Sequence, residues 1–128
     1  MRLLLDTHVL LWAASTPGRL GSAQQLLLDA EERLLSAASS WELAIKRSLG
    51  KLELGTDVRS WVARAAEELQ LQRLSVTHEH AAAVEHLPPV HRDPFDRLLI
   101  AQAWSEGAVL LTADRALVRY GDVVRLVG

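Results

Sequence analysis

Three short, almost purely aliphatic runs constrain this fold most: Leu3-Leu4-Leu5, Leu34-Leu35 within RLLSA (33–37), and Val109-Leu110-Leu111 within AVLLT (108–112). Each is too short for a stable helix, lacks the polar alternation of a half-exposed strand, and gives way to a stretch of helical periodicity. Strands covered on both faces read this way. LQRLSV (71–76) is a further strand candidate and DVVRLVG (122–128) a closing one. Helical patterns fill the intervals. THVLLWAAS (7–15) runs to the turn-forming Thr16-Pro17-Gly18, GSAQQLLLDAEE (21–32) follows, and SSWELAIKRSLGKL (39–52) offers Ser39 and Ser40 as caps. DVRSWVARAAEELQ (57–70) is amphipathic, and THEHAAAVEHL (77–87) stops at Pro88-Pro89. DPFDRLLIAQAWSEG (93–107) ends at a glycine, and ADRALVRYG (113–121) is short. Strand and helix alternating almost throughout predict a parallel sheet with helices on both faces.

At 128 residues and 49% hydrophobic composition, the chain is expected to form a single domain over 1–128, without linker, repeat or low-complexity segment. It contains no Cys, which removes disulfide frameworks and thiolate metal sites and suits a reducing cytosol. Fourteen Lys and Arg against sixteen Asp and Glu give a net charge of -2, too little cationic excess to hold nucleic acid by bulk electrostatics alone. The first fifteen residues imitate a signal peptide, but Asp6 and His8 interrupt the apolar run. No stretch approaches the roughly 18 apolar residues of a membrane span. A cytoplasmic protein without membrane contact is the expectation.

Asp6 lies directly after a leucine strand, where an unpartnered carboxylate is costly to bury. Three more acids occupy comparable places: Glu42 in the first turn of the helix after the second strand, Asp96 in the first turn of the long helix, and Asp114 after Leu110-Leu111-Thr112. Each has an ordinary explanation. Asp6 and Asp114 suit N-caps, Ser39-x-x-Glu42 has capping-box form, and Asp93-x-x-Asp96 resembles it. Capping does not require that three such acids abut the most apolar runs of the chain. In an open parallel sheet, strand-to-helix junctions converge beyond the carboxyl ends of the strands. Carboxylates gathered there repel one another and are relieved by a hard cation such as Mg2+, which takes oxygen ligands at roughly 2.0–2.1 Å and keeps positions for water and phosphate oxygens. Phosphodiester hydrolysis follows from such a centre.

LLLDTHVLLW, SSWELAIK, DPFDRLLIAQA and LLTADRAL, in this order and spacing, resemble the PIN domain of VapC-type toxins from end to end. The resemblance implies a three-layer α/β/α sandwich with a mostly parallel central sheet, and Mg2+- or Mn2+-dependent endoribonuclease activity. It places Asp6, Glu42, Asp96 and Asp114 on the family's four acidic positions. Asp6 and Asp96 would touch the metal, Asp114 would bind metal or orient water, and Glu42 would position water or a second ion. Asp93, one turn before Asp96, is either a supporting acid or the cap of its helix. Thr112 is either a hydroxyl supporting the metal shell or a local turn residue. His8 stands where many relatives carry Ser or Asn, and either faces the pocket or packs in its helix. His78, His80, His86 and His91 are assigned to no metal. Arg92, Arg97 and Arg115 flank the acids as candidate phosphate contacts, with Lys46 and Arg47 on the Glu42 helix. Trp12, Trp41, Trp61 and Trp104 read as core or interface residues.

The resemblance also implies an RNA substrate, a VapB-like antitoxin partner, and a homodimer or toxin-antitoxin hetero-oligomer. Leu26 to Leu28 and Trp41 are candidates for the antitoxin groove, or else complete the core. Three rivals stand beside this reading. A phospho-receiver needs a Lys after a late strand, and the only lysines are Lys46 and Lys51. A silent PIN-like scaffold that binds RNA or protein would not need four intact acids. DNA cleavage shares the same metal chemistry.

Overall fold

A computed structural model describes residues 1–127. Five strands form one sheet: β1 (Arg2–Leu5), β2 (Glu32–Ser36), β3 (Gln72–Leu74), β4 (Val109–Thr112) and β5 (Val124–Leu126). Their order is β3-β2-β1-β4-β5 and every pairing is parallel. The expected closing strand is present at 124–126, and its final residue, Gly128, lies outside the described residues. The helices are α1 (Thr7–Ser15), α2 (Ala23–Asp29), α3 (Ala37–Ser48), α4 (Val58–Glu68), α5 (His78–Ala83) and α6 (Pro94–Glu106). Short 3-10 segments occupy Pro17–Leu20, Val84–His86 and Arg115–Val123.

Alternate strand residues feed two cores, because successive side chains of a strand point to opposite faces. Leu5, Leu35 and Leu111 pack with Val9, Leu10 and Leu43 and with Val62 and Ala65 of α4. Leu4, Leu34 and Leu110 pack against Leu99, Ile100 and Ala103 of α6 and Leu117. The result is the expected α/β/α sandwich, with the central strands sealed on both sides. Among the described residues, no helix is long and apolar enough to cross a membrane.

Several elements depart from the sequence-based expectation: the helix expected over 77–87 divides into α5 and the 3-10 segment Val84–His86, that expected over 113–121 is the 3-10 segment Arg115–Val123, and two further boundaries are set by distant partners. The helix expected over 21–32 ends at Asp29, and Glu32 already belongs to β2. Glu32 pairs with Arg2 of β1 and accepts its Nε at 3.0 Å, so a cross-strand partner decides that boundary. The next helix begins at Ala37 rather than near Ser39 and Ser40. Its cap is Ser36, whose hydroxyl accepts the Ala38 N–H at 3.0 Å. Ser39 is therefore a buried helix residue, the Ser39-x-x-Glu42 capping box does not form, and Glu42 sits in the second turn. Ser36 is held in turn by α6: its hydroxyl donates to Gln102 Oε1 at 2.5 Å, and Gln102 Nε2 donates to the Ser75 carbonyl at 3.3 Å.

The α6 C-terminus is set by Gly107, at φ 65° and ψ 31°, whose N–H reaches back to the helix carbonyls. A Cβ there would meet no atom within 4 Å, so the cost of a side chain is purely one of backbone conformation. Gly107→Ala is expected to lower unfolding free energy by about 1 kcal/mol, read as a shifted urea midpoint with unchanged slope.

Candidate active site

Chain order carries β1 to β2 to β3 on one side, then returns to place β4 on the other side of β1. The direction of winding therefore reverses between β1 and β4, where the crevice beyond the strand ends opens. Asp6 and Asp114 lie there. In the register Leu5 pairs with Leu111, so Asp6 stands beside Thr112, and its N–H donates to the Leu111 carbonyl at 3.0 Å. Thr112 Oγ1 donates to Asp6 Oδ2 at 2.7 Å and accepts the Asp114 N–H at 3.1 Å. One hydroxyl thus fixes both acids. Asp6 Oδ1 accepts the His8 N–H at 3.0 Å and Asp114 Oδ1 the Ala116 N–H at 2.9 Å, so both acids are also the N-caps they resemble. Capping and clustering are compatible, because each cap uses one oxygen.

Glu42 enters from α3. Thr7 Oγ1 donates to Glu42 Oε1 at 2.8 Å, with the buried Ser39 Oγ 3.0 Å from the same hydroxyl. Lys46, one turn along α3, pairs with Glu42 Oε2 at 3.1 Å. Glu42 is held from both ends while facing the same crevice as Asp6.

The third contribution comes from the start of α6. Asp93 is its N-cap, Oδ1 accepting the N–H groups of Phe95 at 2.8 Å and Asp96 at 3.4 Å, while Pro94 occupies the first turn. Of the two alternatives for Asp93, capping is thus observed, and its carboxylate lies in the cleft as well. Asp96 Oδ2 lies 2.8 Å from His91 Nε2, and Asp114 Oδ2 lies 3.8 Å from the same nitrogen. Burial raises the Asp96 pKa to about 6; the His91 hydrogen bond opposes the rise, and the negative charges of Asp6 and Asp93 add to it.

These groups line one cleft of about 410 Å³: Asp6, Glu42, Asp96 and Asp114, with Asp93, His91, His8, Lys46 and Trp12 around them. Four chain segments therefore bring the four acids together. The donor chemistry fits a divalent cation: oxygen donors converge, and ionised Asp96 is disfavoured by burial and, to a lesser degree, by the charges of Asp6 and Asp93 that a cation would offset. His91, Asp93 and Asp96 can each present a ligand atom within 4.8 Å of the other two.

The flanking cations divide. Arg97 does not face the cleft as a free phosphate contact; its guanidinium donates to the carbonyls of Pro88 at 3.0 Å and Val84 at 3.2 Å and to Tyr120 Oη at 3.1 Å. It ties down the loop that carries His91, whose N–H also donates to Tyr120 Oη at 3.1 Å. Arg92, Arg115 and Arg47 are exposed, and Lys46 lines the cleft. Trp41 is mostly exposed and stacks obliquely on Phe95 with centroids 5.0 Å apart, and Trp104 is exposed as well, so neither is a core residue. The sequence-based reading left His91 outside the pocket, and the structure puts it inside. No local pattern in HRDPFD signals this, because the groups His91 meets are set against it by the tertiary fold.

The comparisons with known proteins agree with this architecture. The family model described as PIN domain matches residues 3–123. Ribonuclease VapC22 of Mycobacterium tuberculosis (strain ATCC 25618 / H37Rv) is 36% identical over 116 residues, covering 89% of this chain and 88% of that protein. Among solved structures, VapBC2 from Rickettsia felis, bound to a DNA fragment from its promoter, superposes with a TM-score of 0.75 at 15% identity over 100% of both chains. DNA-bound VapBC from Salmonella typhimurium gives 0.70 at 16% identity over 98% of each. At such identities the superpositions speak for the fold. The family model, which spans nearly the whole sequence, and the 36% identical relative speak for descent: the chain belongs to the PIN-domain family, among its VapC-type members.

Proposed function

We propose that this protein is a divalent-metal-dependent endoribonuclease, the toxin of a type II toxin-antitoxin pair. The observation that carries the reading is the meeting of Asp6, Glu42, Asp96 and Asp114, from four separate segments, in one cleft at the switch point of the sheet. The name of the Mycobacterium tuberculosis relative, a ribonuclease, supports RNA as the substrate.

In this reading Asp6, Asp96 and Asp114 hold Mg2+ or Mn2+, and Thr112 keeps Asp6 and Asp114 at a fixed spacing. When bound, the cation supplies Lewis acidity, making water a competent nucleophile near neutral pH and offsetting charge on the phosphodiester. Glu42, clamped by Thr7 and Lys46, accepts a hydrogen bond from the attacking water and orients it. Lys46 and the exposed Arg92 and Arg115 draw the RNA backbone to an otherwise acidic cleft. His8, exposed at the cleft mouth, contacts the substrate side of the pocket.

A VapB-like antitoxin is the proposed partner, in line with the VapBC complexes of similar fold. A groove of about 380 Å³ lined by Leu20, Leu27, Leu28, Leu69 and Leu71 suits an apolar segment of it. Of the groove candidates Leu26 to Leu28 and Trp41, Leu27 and Leu28 line it, Leu26 packs against the core, and Trp41 stacks on Phe95 and is available to a second copy in a homodimer.

The test is incubation of total cellular RNA with purified protein in Mg2+, Mn2+ or EDTA. Discrete fragments are expected with either cation and none with EDTA. Intact RNA under all conditions, from folded protein free of antitoxin, sinks the nuclease reading and promotes the silent scaffold.

A further inference from the structure

Two imidazoles border the acidic cleft, and they differ in placement. His8 is exposed at the start of α1, whereas His91 is half-buried with Nε2 against Asp96 Oδ2. We propose that His91 gives an imidazole nitrogen to the divalent cation held at Asp96, beside an oxygen of Asp93, and that this nitrogen makes the site favour Mn2+ over Mg2+. The inference rests on the metal-nuclease reading above and adds to it a ligand and a metal preference.

Geometry carries it first. Two donors in adjacent positions of an octahedral site, each roughly 2.1 Å from the cation, are separated by about 3.0 Å. His91 Nε2 and Asp96 Oδ2 are 2.8 Å apart, close to that separation, so the pair can face one cation once the proton of their hydrogen bond has passed to solvent. The Asp93 cap bonds both use Oδ1, which leaves Oδ2 for a ligand. His91 is also held in place. Its N–H donates to Tyr120 Oη, and its carbonyl lies 3.4 Å from the Arg97 guanidinium that braces the same loop. A donor positioned by packing loses little freedom on coordination.

Charge and donor softness supply the rest. A fourth carboxylate beside Asp6, Asp93 and Asp96 would deepen their repulsion, whereas a neutral imidazole adds a donor without charge. Mg2+ is best served by oxygen alone, whereas Mn2+, although it too favours carboxylate and water, is the softer ion of the two and accepts an imidazole nitrogen more readily. A mixed nitrogen and oxygen set therefore separates two ions that an all-carboxylate site treats nearly alike.

The experiment is pulsed EPR on the metal-stripped full-length protein carrying one equivalent of Mn2+, with Mn2+ and Mg2+ affinities measured by titration. Modulation from a directly bound 14N is expected in the parent and in His8→Ala, and not in His91→Ala. Labelling the unmutated chain with 15N-histidine should replace that modulation, which removes any dependence on how the variant folds. Mn2+ affinity is expected to fall about tenfold or more in His91→Ala while Mg2+ affinity changes far less, so that the preference collapses. A 14N signal that survives in His91→Ala, or Mn2+ and Mg2+ affinities that fall in parallel, overturns the proposal and leaves His91 as a residue that merely orients Asp96. Cation binding abolished by Asp96→Asn but lacking any 14N signal overturns the role of His91 and keeps the metal site. A parent that binds neither ion overturns both.

Discussion

Replacing Asp96 with Asn is expected to raise the melting temperature of the metal-free protein at pH 7.5 while removing the RNA cleavage proposed above. The two effects share a cause. Burial and the charges of Asp6 and Asp93 raise the Asp96 pKa from the ordinary 3.8 to about 6, so at neutral pH the folded state carries an ionised group in a place that disfavours it. A carboxyl whose pKa is higher folded than unfolded contributes stability at low pH and loses it as pH rises through the folded value. The loss develops between about pH 4 and 6 and is complete above. Two pKa units correspond to roughly 3 kcal/mol, and partial solvent screening reduces this to about 2 kcal/mol. Asn keeps the shape and an acceptor for His91 and carries no charge. Its advantage should therefore be largest above pH 7, a few degrees in Tm, and should vanish toward pH 4. Millimolar Mg2+ should stabilise the parent and not the variant. Cleavage should fall by at least about a hundredfold. Thermal scans at pH 4.5, 6 and 7.5, with and without Mg2+, check the sign; a variant less stable than the parent at pH 7.5 would falsify the account of Asp96.

Thr112→Val should impair both stability and catalysis although Thr112 carries no charge. The substitution keeps the volume of a fully buried side chain and deletes the hydroxyl that donates to Asp6 Oδ2 and accepts from the Asp114 N–H. Asp6 is itself almost fully buried, so one oxygen is left without its partner, at a cost of about 2 kcal/mol. With the bridge gone, the spacing of Asp6 and Asp114 relaxes, and cation affinity should drop roughly ten- to a hundredfold, as when the supports of metal ligands are removed. Thr112→Ser should restore most of both. Urea midpoints and Mn2+ titration of the three proteins separate this role from that of a simple turn residue, which would leave cation affinity unchanged.

Much of this architecture was legible in the chain because its signals are local. LLL, RLLSA and AVLLT announce buried parallel strands by apolar content and brevity, and DPFDRLLIAQAWSEG announces a helix by its periodicity, its Asp-Pro start and its closing Gly107. The four acids were recognisable from their places after strands and at helix starts. Element ends were less legible where distant partners decide them: Gln102 of α6 holds Ser36 as the cap of α3, and Arg2 draws Glu32 into β2. The same limit governed the site.

Nothing in the local pattern around Arg97 indicates that its guanidinium is spent on Val84, Pro88 and Tyr120, which come from the 3-10 segment Val84–His86, the loop after it and the segment after β4. Likewise His91 reads as one histidine among five until the return of the chain from β3 to β4 sets it against Asp96 and Asp114. Most strands, the long helix and the four acids as candidates could be read from the chain alone, because hydrophobic periodicity and capping act over a few residues. Which groups complete the cleft was not readable there, because the parallel register and the crossover between β3 and β4 bring together side chains up to about a hundred positions apart.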